Sequence, residues 1–375
     1  MSAVEEPKRS AEQPMRWGIV GVGLMGRGYF RILSENLLAR VAAVCDTDPE
    51  RRDPAWYGAV NRGSATGSDS DNVLKMGGAG LKSTAGDLPR AFANWRDLVK
   101  DPNIDAVAIT APTAIHAEVA VAALNAGKHV LCEKPMALTV AQCDAMLAAE
   151  AASHRTLMID QCVRFFPQYE LIKRYVDEGR IGKVRYAGLW RLGAPPSHCK
   201  DNWMLDARIS GGALCDLHIH DVDFAQHLLG RPAQIAARGC VGPSGGIDHV
   251  VATYHYADGR YALLEGGWSL HAPFPFDFAI TVHGDTGTLT WTASKGLNVL
   301  YYRGQPEAQQ LECKDEGGTR GVINYFIDCV RSGQPVSRCT AEEARNSFAL
   351  ATLEKLAIDS GEMVEVAAHY KPAAR

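Results

Sequence analysis

The chain of 375 residues is 46% hydrophobic and 22% charged, with a net charge of −4 at pH 7, which suits a two-domain globular protein with ample core. The mild acidity, with no basic run or aromatic–basic interleaving, argues against a nucleic-acid partner, and no stretch approaches the roughly 18 apolar residues of a membrane span. Residues 1–14 are polar, lack a signal-type apolar run and read as a flexible tail.

From Met15 onward strand and helix alternate. Residues 17–20 form a short apolar strand, 25–35 a helix, and 41–45 a second strand that ends at Asp46. A polar, glycine-rich stretch within 53–89 is too long for an ordinary connection; it reads as a surface insertion or a flap over the adenosine end of a cofactor. Residues 104–110 form a buried strand, 117–125 a helix stopped by Gly127, and 130–132 a further strand. Thr139 and Gln142 have capping-box spacing for the next helix. Such alternation predicts a parallel sheet with helices on both faces.

After about residue 163 the character changes. Helices are expected at 168–177, 212–229, 322–330 and 341–358. Strands are expected at 184–191, 234–240, 249–256, 260–268, 278–283, 288–291 and 299–302. Asp258-Gly259 marks a hairpin and Asp285-Thr286-Gly287 another. The fold class is therefore α/β: an N-terminal doubly wound Rossmann domain over 15–162, then an α+β domain over 163–375 with a mostly antiparallel open sheet. The ten cysteines include no CxxC pair, and those at 45, 132 and 162 adjoin apolar runs; a reduced, cytoplasmic protein is expected.

The glycine turn Gly21-Val22-Gly23-Leu24-Met25-Gly26 lies between a strand and a helix, the context in which it binds a dinucleotide. Gly21 permits the turn, Gly23 lets backbone approach a pyrophosphate, and Gly26 allows close helix–strand packing. The helix N-terminus, with Leu24 and Met25, offers unpaired N–H groups to the phosphates. Asp46, at the end of the second strand, is placed to hold the adenosine ribose. It favours NAD over NADP, although Arg51 and Arg52 leave NADP open.

Glu133-Lys134-Pro135 follows a parallel strand at the edge where doubly wound sheets bind ligands. Asp216 and His220 are four apart on an expected helix, hence on one face. A carboxylate beside an imidazole favours the imidazolium and can orient it, which suits a general base. Asp216, His218, His220, Asp221 and Asp223 are not expected to hold a metal, because neighbouring helical residues point about 100° apart. Arg164 with Phe165, and Trp190 with Arg191, read equally well as lining for a sugar pocket or as core aromatics and surface arginines. Arg164 and Trp203 are carried, with Asp216 and His220, as candidate substrate contacts.

Taken together, the glycine turn, Ala111-Pro112-Thr113 with His116, the run from Gly127 to Pro135, and the segment from Gly211 to Asp223 with Leu228-Leu229-Gly230 resemble the Gfo/Idh/MocA oxidoreductases, from Met15 to about Val366. The resemblance implies that Lys134 contacts the reacting hydroxyl and the cofactor, and that Asp216 and His220 are the catalytic pair with His220 as base. It also implies that Pro112, Thr113 and His116 border the cofactor crevice and that Glu133 lies beside the nicotinamide ribose. The open sheet face would form a homodimer or homotetramer interface. Many relatives carry glycine where this chain has His218. The expected activity is NAD-dependent oxidation of a secondary hydroxyl on a sugar, glycoside or cyclitol. The alternatives are a redox-neutral glycoside hydrolase that keeps its NAD, and a non-catalytic dinucleotide-binding protein.

Overall fold

The computed structural model describes residues 13–58, 88–197, 199–314 and 317–370. Most of the 53–89 insertion, most of the N-terminal tail and His198 lie outside the described residues.

The first half of the chain builds β1 (Met15–Val20), α1 (Leu24–Glu35), β2 (Ala39–Cys45), α2 (Pro54–Gly58), β3 (Arg90–Phe92), α3 (Trp95–Lys100), β4 (Ala106–Ile109), α4 (His116–Asn125), β5 (His129–Glu133), α5 (Val140–Ser153) and β6 (Leu157–Asp160). The strands form one six-stranded sheet, β3-β2-β1-β4-β5-β6, and every pairing is parallel. All four residues of β4 and all four of β6 are buried, as strands covered on both faces require. The Thr139 hydroxyl accepts from Gln142 N at 3.2 Å and so caps α5, but the Gln142 side-chain oxygen accepts from Leu138 N at 3.1 Å rather than from Thr139 N, so only half of the expected capping box forms.

The second half contributes α6 (Pro167–Asp177), β7 (Val184–Leu192), α7 (Ala207–Ser210), α8 (Gly212–Asp216), α9 (Ile219–Leu229), β8 (Gln234–Val241), β9 (Ile247–His255), β10 (Tyr261–Gly267), β11 (Asp277–Gly284), β12 (Thr288–Thr292), β13 (Val299–Tyr302), β14 (Gln309–Leu311), α10 (Gly318–Ser332), α11 (Ala341–Ser360) and β15 (Val364–Glu365). Their nine-stranded sheet runs β14-β13-β12-β11-β7-β10-β9-β8-β15 and is antiparallel except between β7 and β10. Burial alternates along β10, the signature of a sheet with one covered face and one open one. Both expected hairpins form: Gly259 has φ +84 between β9 and β10, and β11 pairs with β12 across Asp285 to Gly287.

Helix α10 returns to the first sheet. Its Phe326 packs on Trp17 of β1 with ring centroids 5.4 Å apart, and both side chains are fully buried. Burying an aromatic of this size contributes roughly 1.5–3 kcal/mol, so α10 seals one face of the N-terminal sheet.

One element differs from expectation in a way that matters for the site. The helix expected over 212–229 is interrupted. Leu217 N and His218 N both donate to Ala213 O, and Asp221 N reaches only to His218 O, so α8 and α9 are separate helices joined at residues 217–218. Asp216 ends one and His220 lies in the first turn of the other. The unbroken helix that the one-face argument for this pair assumes is therefore absent.

Candidate active site

The glycine loop has the shape that close approach of a phosphate demands. Gly21 sits at φ +91, and a Cβ there would lie 2.6 Å from Ala111 N; on Gly26 it would lie 2.0 Å from Gly21 O. Neither α1 nor its cap Gly23 carries a side-chain cap or an acidic residue in the first turn, so its N-terminal amides and positive dipole end face the crevice. The residues present therefore fit a dinucleotide. Thr110, not singled out from sequence, donates from its hydroxyl to Gly21 O at 2.5 Å and closes the loop from β4. Gly26→Ala is expected to weaken NADH binding by at least about tenfold, read by fluorescence titration; wild-type affinity would refute this account of the loop.

Asp46 buttresses that loop. Its Oδ2 accepts from Val22 N at 2.8 Å and its Oδ1 from Asp48 N at 2.9 Å. Each oxygen retains a lone pair for a ribose hydroxyl. Arg52 is committed to backbone, donating to Asp46 O at 2.7 Å. Arg51 instead reaches over the loop, with Nη1 3.5 Å from where a Cβ on Gly23 would stand. From the second half of the chain, Lys200 pairs with Asp48 and so links the two halves beside this end of the crevice.

At the other end β5 delivers Lys134. Its ammonium donates to Asp216 O at 2.8 Å and lies 3.4 Å from Asp216 Oδ1. The carbonyl belongs to the C-terminal residue of α8, where the helix dipole favours a cation. The lysine retains 17% side-chain exposure. His220 is buried, and its Nδ1 has no hydrogen-bond partner among the described residues. Burial pushes its pKa well below the ordinary imidazole range, with the Lys134 and Arg191 charges adding to the shift. The expectation that Asp216 would favour an imidazolium at His220 is therefore corrected: Asp216 pairs with Lys134, and His220 is held neutral. A neutral imidazole beside an ammonium is the state in which histidine accepts a proton.

Several other candidates sit differently from expectation. Arg164 does not face a substrate. Its guanidinium grips Asp223 through Nε at 2.7 Å and Nη2 at 2.8 Å, and adds Glu343 at 3.0 Å. Its side chain is 1% exposed. Interior charge pairing of this kind consumes the donors that a sugar would need. Arg191 is likewise buried, against Asp221 at 3.0 Å and over the Phe278 ring at 4.2 Å. Trp190, next to it on β7, points to the opposite sheet face, so the two cannot line one pocket. Four of the five acidic and histidine side chains of 216–223 diverge to separate partners: Asp216 to Lys134, His218 to Glu354, Asp221 to Arg191 and Asp223 to Arg164, while His220 makes no such pair among the described residues.

His116 is fully buried, with Nδ1 2.9 Å from Pro135 O and Nε2 2.8 Å from Ala111 O. Both of its ring nitrogens face carbonyls of the loops that flank the crevice, which leaves neither for a cofactor. Burial lowers its pKa, so only one of those contacts is an N–H donation at neutral pH. Thr113 is buried and Pro112 half-buried beside it. Trp203 is half-buried in the 3₁₀ turn Lys200–Leu205, where Asp201 and Asn202 adopt left-handed backbone. Glu133 turns inward: Oε2 accepts from Lys134 N at 3.2 Å, and Oε1 is buried.

Comparison with known proteins places these features in a wider set. Residues 15–161 match the model of an oxidoreductase family with an NAD-binding Rossmann fold, and residues 169–290 match the Gfo/Idh/MocA C-terminal domain. The chain is 32% identical over 289 residues to the oxidoreductase YrbE of Bacillus subtilis, covering 75% of each. It is 30% identical to levoglucosan dehydrogenase of Pseudarthrobacter phenanthrenivorans over 62% of this chain and 65% of that one. It is 27% identical to myo-inositol 2-dehydrogenase of Thermotoga maritima over 74% and 85%. A solved levoglucosan dehydrogenase in complex with NADH superposes with a TM-score of 0.77 at 20% identity, over 94% of this chain and 99% of that one, and shares its fold.

Proposed function

Because the chain belongs to the Gfo/Idh/MocA oxidoreductase family, whose N-terminal domain binds NAD, we infer that it oxidises a secondary hydroxyl of a sugar or cyclitol. The observation that carries this reading is the junction of Lys134 with Asp216 and a neutral, buried His220 at the carboxyl edge of the Rossmann sheet. Relatives named for levoglucosan and myo-inositol oxidation support the substrate class.

In this reading His220 takes the hydroxyl proton and Lys134 stabilises the alkoxide that develops. Asp216 holds the lysine through both its carbonyl and its carboxylate. NAD, when bound, supplies the hydride acceptor. Gly21, Gly23, Leu24, Met25 and Gly26 receive its phosphates and Asp46 its adenosine ribose. Trp203 remains a candidate sugar contact. The open face of β9 and β10, where Val251, Tyr261 and Leu263 are each more than a third exposed, suits self-association.

NADH fluorescence with NAD and a panel of monosaccharides, anhydrosugars and inositols tests the activity directly. Rising NADH on one of them is expected. Aglycone release from aryl glycosides with no net NADH would overturn the dehydrogenase reading in favour of redox-neutral cleavage.

The acid limb of kcat/KM follows from His220. Its folded-state pKa lies below the free value of about 6.5, so activity should hold at and somewhat below that pH and fall only at more acidic values. The same shift affects stability. The unfolded chain binds the proton first, so His220 lowers stability progressively as pH drops below about 6.5.

A further inference from the structure

Beneath Lys134 lies a pair of acids that the proposed reaction does not use. Glu133 and Asp160 are register partners at the carboxyl ends of the neighbouring parallel strands β5 and β6, so their side chains emerge side by side. Both residues are buried, at 7% and 1% exposure. Tyr29 of α1 donates its hydroxyl to Asp160 Oδ2 at 2.5 Å. Asp160 Oδ1 and Glu133 Oε1 have no hydrogen-bond partner among the described residues. Two carboxylates at adjacent register positions, each with a buried oxygen to which no described group donates, repel strongly, and the lowest-energy arrangement leaves one proton between them.

We propose that Glu133 and Asp160 are a carboxyl pair that shares a single proton at neutral pH, a proton-holding site built into the sheet edge under Lys134. The pair then shows Lys134 one negative charge rather than two. Every charged or titratable group around it bears on this balance. Lys134 favours ionisation of both acids, and Asp216 opposes that of Glu133. The Tyr29 and Thr319 hydroxyls favour the Asp160 carboxylate, whereas burial pushes the nearby Cys132 thiol up, so it stays protonated, and Cys162 stands half-buried beside Tyr29. Burial is the largest influence on both acids, and it raises Asp160 to about 6 and Glu133 well above the carboxylate range.

The test needs no turnover. Infrared spectra at pH 7 should contain a protonated-carboxyl C=O band in the wild type that is lost in Glu133→Gln, where Asp160 keeps the Tyr29 hydroxyl and ionises opposite Lys134, and shifted in Asp160→Asn, where buried Glu133 loses its carboxylate partner. Tyr29→Phe, which keeps both acids, should also shift that band without removing it. A wild-type spectrum with no such band, a band that survives in Glu133→Gln, or a band unmoved by both Asp160→Asn and Tyr29→Phe would each overturn the shared proton.

A second measurement links the pair to the cofactor and rests on the functional reading above. The reactive end of a dinucleotide lies at the carboxyl ends of such strands, so a cationic nicotinamide should draw the proton off. Protons released on binding, followed with an indicator dye in weak buffer, should approach about one per site for NAD and none for NADH, with the difference abolished in Asp160→Asn. Equal release for both cofactors in the wild type would overturn the coupling. NADH fluorescence in the same samples shows separately whether the cofactor binds.

Discussion

Lys134→Ala is expected to lower turnover about 10²- to 10⁴-fold while NADH affinity stays within about threefold. The ammonium sits where it can act on a developing alkoxide: it leaves β5 at the sheet edge, is held by Asp216 O at 2.8 Å, and keeps part of its surface open. In the proposed reading, phosphate and ribose recognition rests on the glycine loop and the Asp46 carboxylate, away from Lys134, which is why affinity should survive. The variant also reports on His220. The lysine charge is one of the causes holding that imidazole neutral, so its removal should raise the His220 pKa and move the acid limb of kcat/KM to higher pH. Full activity in Lys134→Ala, or an acid limb that stays in place, would remove the lysine from this role.

Arg164→Ala should instead destabilise the protein by about 3–5 kcal/mol, seen as a lower midpoint in denaturant titration. Removing the guanidinium leaves Asp223, fully buried, with only the Ser347 hydroxyl at 2.8 Å as the described side-chain donor to it. The Glu343 carboxylate, 37% exposed, can turn to solvent and adds little. Replacing both members, as Arg164→Met with Asp223→Leu, should recover much of the loss, because a buried pair exchanged for apolar side chains costs far less than a broken one. A substrate-binding arginine would give the opposite pattern, with KM raised and stability unchanged.

Much of this architecture was legible in the residues. Gly21 and Gly26 announced a tight strand–loop–helix turn because a Cβ on either would stand 2.0–2.6 Å from neighbouring backbone, while Gly23 leaves the loop bare on its outer side. Asp258-Gly259 announced its hairpin through the positive φ that such a turn demands. The strand–helix alternation announced the parallel sheet. Strand β6 escaped notice because four consecutive buried residues carry no period that separates strand from helix. With it went Asp160, which the rule that ligands gather at the carboxyl ends of parallel strands could have flagged.

The sequence by itself determined the fold class, the dinucleotide loop and the identity of Lys134 and His220 as residues to watch. These depend on local backbone constraint and on residue chemistry, both of which are written in short windows. Only the tertiary structure decided the protonation states and the partners. Asp216 pairs with Lys134 rather than with His220. Arg164 meets Asp223, 59 positions away, and Glu133 meets Asp160 across two strands. Charge environment depends on what lies within a few ångströms in space, and long-range packing sets that distance.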